Sequence, residues 1–279
     1  LNGRPAATFR ADLLRRVLTA VVALPIVLGG LLLGPPLLGA TIVAAAVLLG
    51  LREFYGLMQA RQMVPFRLTG YLLLGAIFVE TVTRLDWIGP PMWPMVALVS
   101  LVALLLRVGD FGATVPAAAL TLMGAMLLGG LGGTIAGLRL LEPQAVAAWR
   151  LLLLFVVVMA TDSAAYFVGS ALGRRPLAPA ISPGKTLEGS LGGLLGGVLG
   201  ALTVWWAGLP NVPAWHAGLL GFVVSVLGQM GDLLESLLKR WAGVKDSGTL
   251  FPGHGGMLDR LDSLLFGAPV LYYYFASVR

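Results

Sequence analysis

The sequence predicts an all-α, polytopic integral membrane protein with about nine transmembrane helices. Three observations predict it. Of the 279 residues, 58% are hydrophobic and only 11% are charged, whereas a soluble domain usually needs about 25% charged residues to wet its surface. The apolar residues gather in runs that approach the roughly 20 residues a helix needs to cross a bilayer. The basic residues lie between those runs and favour one side of the membrane. A cytosolic enzyme is thereby excluded, and the absence of cysteine removes disulfides, thiolate metal sites and cysteine nucleophiles.

The first predicted span, 17–33, follows Arg4, Arg10, Arg15 and Arg16. That basic start resembles a secretory signal, but no small-residue cleavage site precedes the continuing apolar run, so an uncleaved span is expected. The second, 37–51, opens after Pro35-Pro36, and the third covers 68–84. Pro90-Pro91 breaks the chain before the fourth, 92–108. The fifth to ninth are 114–138, 149–172, 188–209, 214–235 and 263–278, with the second and ninth short. No linker or internal repeat divides this transmembrane domain of 1–279.

With a cytoplasmic N-terminus, alternating spans place fifteen Lys and Arg residues inside and four outside: Arg84, Arg139, Arg150 and Arg279. This is the bias expected of membrane topology. The formal charge of +6 is explained the same way, and without clustered base-reading surfaces no nucleic-acid partner is expected.

Glycine recurs at four-residue spacing, as Gly189, Gly193 and Gly197 interleaved with Gly192, Gly196 and Gly200, and again as Gly129, Gly133 and Gly137. Small residues so spaced let helices approach closely, within one chain or across a homodimer.

Acidic residues are scarce, yet Asp232, Glu235, Asp246, Asp259 and Asp262 put five of thirteen into 31 residues, together with Lys239, Arg240, Lys245 and His254. Charge beside hydrocarbon is expensive and marks paired or functional groups. Asp232, Glu235 and Lys239 share one face at the cytoplasmic end of the eighth span, and Asp259 and Asp262 stand three apart before the ninth. Two helix ends therefore present carboxylates to a common point. Hard oxygen ligands beside basic side chains suit Mg2+ bound together with a phosphate substrate. Between them, Gly253, Gly255 and Gly256 free backbone amides to receive phosphate oxygens.

A second polar island holds Thr161-Asp162-Ser163 and Ser182-Pro183-Gly184-Lys185-Thr186. Asp162 interrupts an apolar helix and requires either a structural cation or a watered cavity. Gly184-Lys185-Thr186 echoes the end of a P-loop, but Pro179 occupies the position of its first glycine, and the motif is rejected.

These residues carry a family resemblance. Ser236-Leu-Leu-Lys239-Arg240, then Lys245-Asp246-Ser247-Gly248, then Pro252-Gly253-His254-Gly255-Gly256-Met257-Leu258-Asp259-Arg260-Leu261-Asp262 resembles the C-terminal pattern of the phosphatidate cytidylyltransferases, or CDP-diacylglycerol synthases. The Asp162 and Ser182 segments extend the similarity over about 150–279; the first half matches only as a multi-span hydrophobic region. Ser163 stands where many members have Thr.

The resemblance implies Mg2+-dependent transfer of a cytidylyl group from CTP to phosphatidate, with a catalytic region over 149–279 behind an N-terminal membrane region over 1–148. It implies Asp232 and Asp259 as metal ligands, with Asp262 close by, and Lys239, Arg240, Lys245 and Arg260 on phosphates. His254 becomes a hydrogen-bond donor to a phosphate oxygen, and Asp162 and Asp246 orient the cations. Ser182, Lys185 and Thr186, with Gly255 and Gly256, form the substrate pocket. The implied location is a bacterial inner membrane with the site on its cytoplasmic side. The competing reading is an ion-coupled secondary transporter, which inverted repeats and broken mid-membrane helices would support; neither is evident. The Asp-Gly and Ala-Arg pattern of CDP-alcohol phosphotransferases is also missing.

Overall fold

Proline, glycine and a few polar caps decide where the apolar runs become separate helices. The computed structural model describes residues 24–83, 95, 98–100, 102, 103, 106, 110–251 and 255–278. α1 (Leu24–Leu32) is followed by Pro35, and Pro36 opens α2 (Pro36–Ala60), where its missing N–H is no loss. α3 is Arg67–Thr83. Asp110 accepts the Gly112 amide at 2.9 Å and caps α4 (Phe111–Met126), which passes through a π turn at Leu127–Leu131 into α5 (Gly132–Leu140). α6 (Ala147–Leu172) leads to an antiparallel hairpin of β1 (Pro176–Ala178) and β2 (Ser182–Thr186). Thr186 caps α7 (Leu187–Gly208) by accepting the Gly189 amide at 3.1 Å.

α8 (Ala214–Ala242) ends at Gly243, whose φ of 76° lets its amide reach the Arg240 carbonyl while Val244 reaches that of Lys239. This left-handed turn releases the chain toward α9 (Leu258–Ser277).

Five helical stretches among the described residues are long and apolar enough to cross a bilayer: Pro36–Ala60, Gly112–Leu140, Gln144–Leu172, Leu187–Gly208 and Ala214–Ala242. The chain is an integral membrane protein. The predicted count of nine is not reached: much of the first span and most of the fourth lie outside the described residues, and α3 and α9 are not among the five. Three helices also overrun their predicted bounds. α2 runs to Ala60 instead of 51, α8 to Ala242 instead of 235, and α9 starts at Leu258 instead of 263. In each case the helix continues beyond its apolar stretch into charged sequence, which a hydrophobic window does not see.

Both glycine rows are taken up inside the chain. A Cβ on Gly192 would stand 2.6 Å from Val168 of α6, one on Gly200 3.1 Å from Ala160, and one on Gly193 3.0 Å from the Thr161 carbonyl. Gly197 faces Ser225 of α8, and Gly129 and Gly133 face Leu74 and Thr81 of α3. Thr161 and Ser225 complete the α6–α7–α8 seam with a buried 2.7 Å hydroxyl contact. The opposite face of α7 exposes Leu191, Leu195 and Leu199 at one-turn spacing, as a lipid-facing stripe should. The glycines of both rows thus serve packing within one chain.

Candidate active site

The acidic cluster forms because the C-terminal end of α8, the head of α9 and the C-terminal half of α6 converge. They enclose a cavity of about 630 Å³. Its lining includes Asp162 from α6, Asp232 and Lys239 from α8, and Asp259, Arg260 and Asp262 from α9. The connecting segment adds Lys245, Asp246, Gly248, Thr249, Phe251 and Gly255. Five carboxylates thus face three basic side chains. Asp162, Asp232 and Asp262 lie within electrostatic reach of one another, with Lys185 and Arg260 acting on Asp162 and Lys239 on Asp262.

A second cavity, about 330 Å³, lies toward the hairpin. Tyr166, Lys185, Thr186, Ser190 and Gln229 help to line it, and it shares Asp162 and Asp232 with the first. Lys185 reaches across from β2 to form an ion pair with Asp232. The hairpin is tied down for this purpose: Glu188 accepts the Arg174 and Arg175 amides at 3.0 and 3.2 Å, and the Arg240 guanidinium donates to the Ile181 carbonyl at 3.2 Å.

Asp259 is the most heavily engaged carboxylate. Its Oδ1 accepts from Lys239 at 2.6 Å, and its Oδ2 accepts the Gly256 amide at 2.7 Å and both the hydroxyl and amide of Ser247, at 2.8 and 3.0 Å. Lys239 also pairs with Glu235. Burial works against ionisation of Asp259, but hydrogen bonding with Glu235, Lys239, Gly256 and Ser247 outweighs it and holds the carboxyl below the usual carboxylate range. Gly255, at φ 81°, brings its backbone so close that a Cβ would lie 2.6 Å from Asp259 Oδ2.

The residues singled out from the sequence therefore divide. Asp162, Asp232, Lys239, Lys245, Asp246, Gly255, Asp259, Arg260 and Asp262 share the larger cavity, while Lys185 and Thr186 line the smaller. Gly256 lies behind the wall as a donor to Asp259. Arg240 is placed on the hairpin turn, and Ser182 pairs with Ala178 inside the hairpin; neither is on a cavity wall. His254 lies outside the described residues.

Glu53 of α2 is the contributor that sequence reasoning missed. It accepts the Met257 and Leu258 amides at 3.0 and 2.8 Å and the Ser247 hydroxyl at 3.1 Å. Its signal was weak: a lone acid beyond the apolar part of a helix, in the half without a polar motif.

No group of three acidic or histidine side chains among the described residues forms a ready-made metal cage. The donor chemistry nevertheless fits Mg2+, which typically takes one or two carboxylates and completes its shell with substrate phosphates and water. A cavity with more carboxyl groups than basic side chains would favour a polyphosphate that brings its own cation.

The model of the cytidylyltransferase family matches residues 14–278. The chain belongs to this family. Among cytidylyltransferases of known name it is similar to the phosphatidate cytidylyltransferase of Synechocystis sp., 33% identical over 287 residues, or 93% of this chain and 95% of that protein. It is 49% identical over 121 residues to the phosphatidate cytidylyltransferase of Bacillus subtilis, and 48% over 122 residues to that of Brucella suis. Those two matches cover 43% of this chain and 45% and 44% of the relatives, so the chain spans a little under half their length there. These matches lend no support to an ion-coupled transporter.

Proposed function

We propose that the chain transfers the cytidylyl group of CTP to phosphatidate, releasing pyrophosphate and forming CDP-diacylglycerol. The observation that carries this reading is the pair of cavities divided by Asp162 and Asp232, one larger and richly charged, the other smaller and placed toward the hairpin. CTP occupies the larger and the phosphate of the lipid the smaller. A lipid phosphate oxygen attacks the α-phosphorus of CTP; a P–O bond forms as the bond to pyrophosphate breaks, and the electron pair departs with pyrophosphate. A phosphate monoester is already largely ionised near neutral pH, so no strong general base is required.

Positioning and charge then carry the rate. Lys239, Lys245 and Arg260 hold triphosphate oxygens and balance the charge that builds on the leaving group. Lys185, at the dividing wall, receives the lipid phosphate, with Thr186 beside it. Asp246 and Asp162 orient these cations, Arg240 and Ser182 act through the hairpin, Gly255 and Gly256 shape the pocket backbone beside Asp259, and His254 donates a hydrogen bond to a phosphate oxygen. Asp232 and Asp259 would hold Mg2+, with Asp262 adjacent; Asp259 would exchange Lys239 for the ion. When bound, Mg2+ would neutralise phosphate charge and polarise the α-phosphoryl group.

The fifteen-to-four basic asymmetry, counted over nine alternating spans, supports a site on the cytoplasmic face, and the bacterial relatives support a bacterial inner membrane. The test is incorporation of label from CTP into lipid by the purified chain, with and without phosphatidate and with Mg2+ or a chelator. Phosphatidate-dependent labelling that stops on chelation is expected. Labelled lipid without added phosphatidate, or none at all, would overturn the reading.

A further inference from the structure

We infer that Glu53 is a positioning residue that holds the nucleotide-side wall of the active site from the opposite half of the chain. The inference rests on the proposed cytidylyl transfer for its kinetic part only.

The wall comprises residues 244–251 and 255–257, and it contributes Lys245, Asp246, Thr249 and Phe251 to the larger cavity. Two carboxylates fasten it where it leaves and rejoins the fold. Asp259 takes the Ser247 amide, the Ser247 hydroxyl and the Gly256 amide. Glu53 takes the Ser247 hydroxyl from the other side, and then the Met257 and Leu258 amides. The latter two belong to the unsatisfied donors with which any helix begins, and the positive end of α9 favours an anion there.

The sequence around the carboxylate makes room for it. A Cβ on Gly248 or on Gly256 would collide with the Glu53 carboxylate. Phe54 and Tyr55, the next residues of α2, are buried, so the helix that carries Glu53 cannot slide without disturbing the core. Glu53 is on neither cavity wall. It touches no expected position of substrate, and acts through the backbone that presents Lys245 and Asp246.

The experiment compares the wild-type chain with Glu53→Ala and Glu53→Gln, each purified in detergent micelles. Amide hydrogen exchange over 244–258 is measured without substrate, and KM and kcat are measured for each substrate in turn. In Glu53→Ala the segment should exchange about tenfold faster or more, because its donors lose a half-buried acceptor. KM for CTP should rise about tenfold, while KM for phosphatidate stays within about twofold, since the smaller cavity does not include this segment. Glu53→Gln keeps one acceptor oxygen and should fall between the two, and it supplies the comparison if the alanine variant does not fold.

Unchanged exchange in the variants would overturn the inference, and so would faster exchange with both KM values unchanged or raised equally. A wild-type chain without CTP-dependent activity would instead sink the proposed reaction, while the exchange data still decide whether Glu53 holds the segment.

Discussion

The Lys239 ammonium lies 2.6 Å from Oδ1 of Asp259, so a residue expected on phosphate and a residue expected on metal engage each other. Binding the nucleotide with its cation must separate them or share them. In either case the ion pair compensates two half-buried charges before substrate arrives, and removing one member weakens the compensation of the other.

Asp259→Asn is accordingly expected to lower turnover by about 100-fold or more with normal membrane insertion. The checks are phosphatidate-dependent label transfer over a Mg2+ titration and monodispersity in detergent. Near-wild-type turnover at limiting Mg2+ would remove Asp259 from the proposed ligands; loss of monodisperse protein would make it a purely structural partner of Lys239.

Thr249→Cys should react with a membrane-impermeant thiol reagent only when the cytoplasmic face is opened, and Asn211→Cys should react in intact cells. Both positions are exposed and the chain has no other cysteine. Labelling of position 249 from outside, with 211 protected, would invert the proposed orientation.

Gly197→Ala should destabilise the α6–α7–α8 seam by about 1–3 kcal/mol, because the added methyl meets the hydroxyls of Ser225 and Thr161. Thermal unfolding in detergent measures the loss, and size-exclusion with light scattering measures the mass. An unchanged unfolding temperature, or a change confined to oligomeric state, would contradict the packing described.

Initial rates with CTP and phosphatidate varied together should give intersecting plots, with no exchange of labelled pyrophosphate into CTP unless phosphatidate is present. Both follow from direct displacement with the two substrates bound at once. Parallel plots with lipid-independent exchange would demand a covalent cytidylyl-enzyme and a side-chain nucleophile.

The parts of this site that were legible in the sequence are those where polar residues interrupt apolar runs. Asp162 stood out inside a long hydrophobic stretch, and Asp232, Lys239, Asp259 and Asp262 stood out by crowding; the fold brings them to one cavity. Spacing along a helix face was enough, because α8 and α9 are regular there. The hairpin at 176–186 was not legible, since Ser182-Pro183-Gly184 has none of the alternation by which strands announce themselves. Its order comes from Glu188 and Arg240, contacts made outside the strands. Glu53 was hidden for a different reason: two of its three partners are backbone amides about 200 residues away, and backbone donors carry no residue-type signature.

The wall formed by Asp162 and Asp232 has a pharmacological consequence. It is the shared boundary of two cavities, so a ligand that joins a cytidine polyphosphate mimic to a lipid phosphonate would have to thread past these two carboxylates and displace Lys185 from Asp232. Such a bridging inhibitor should compete with CTP and with phosphatidate alike, and its potency should fall in Lys185→Ala, whereas a nucleotide mimic confined to the larger cavity should compete with CTP alone.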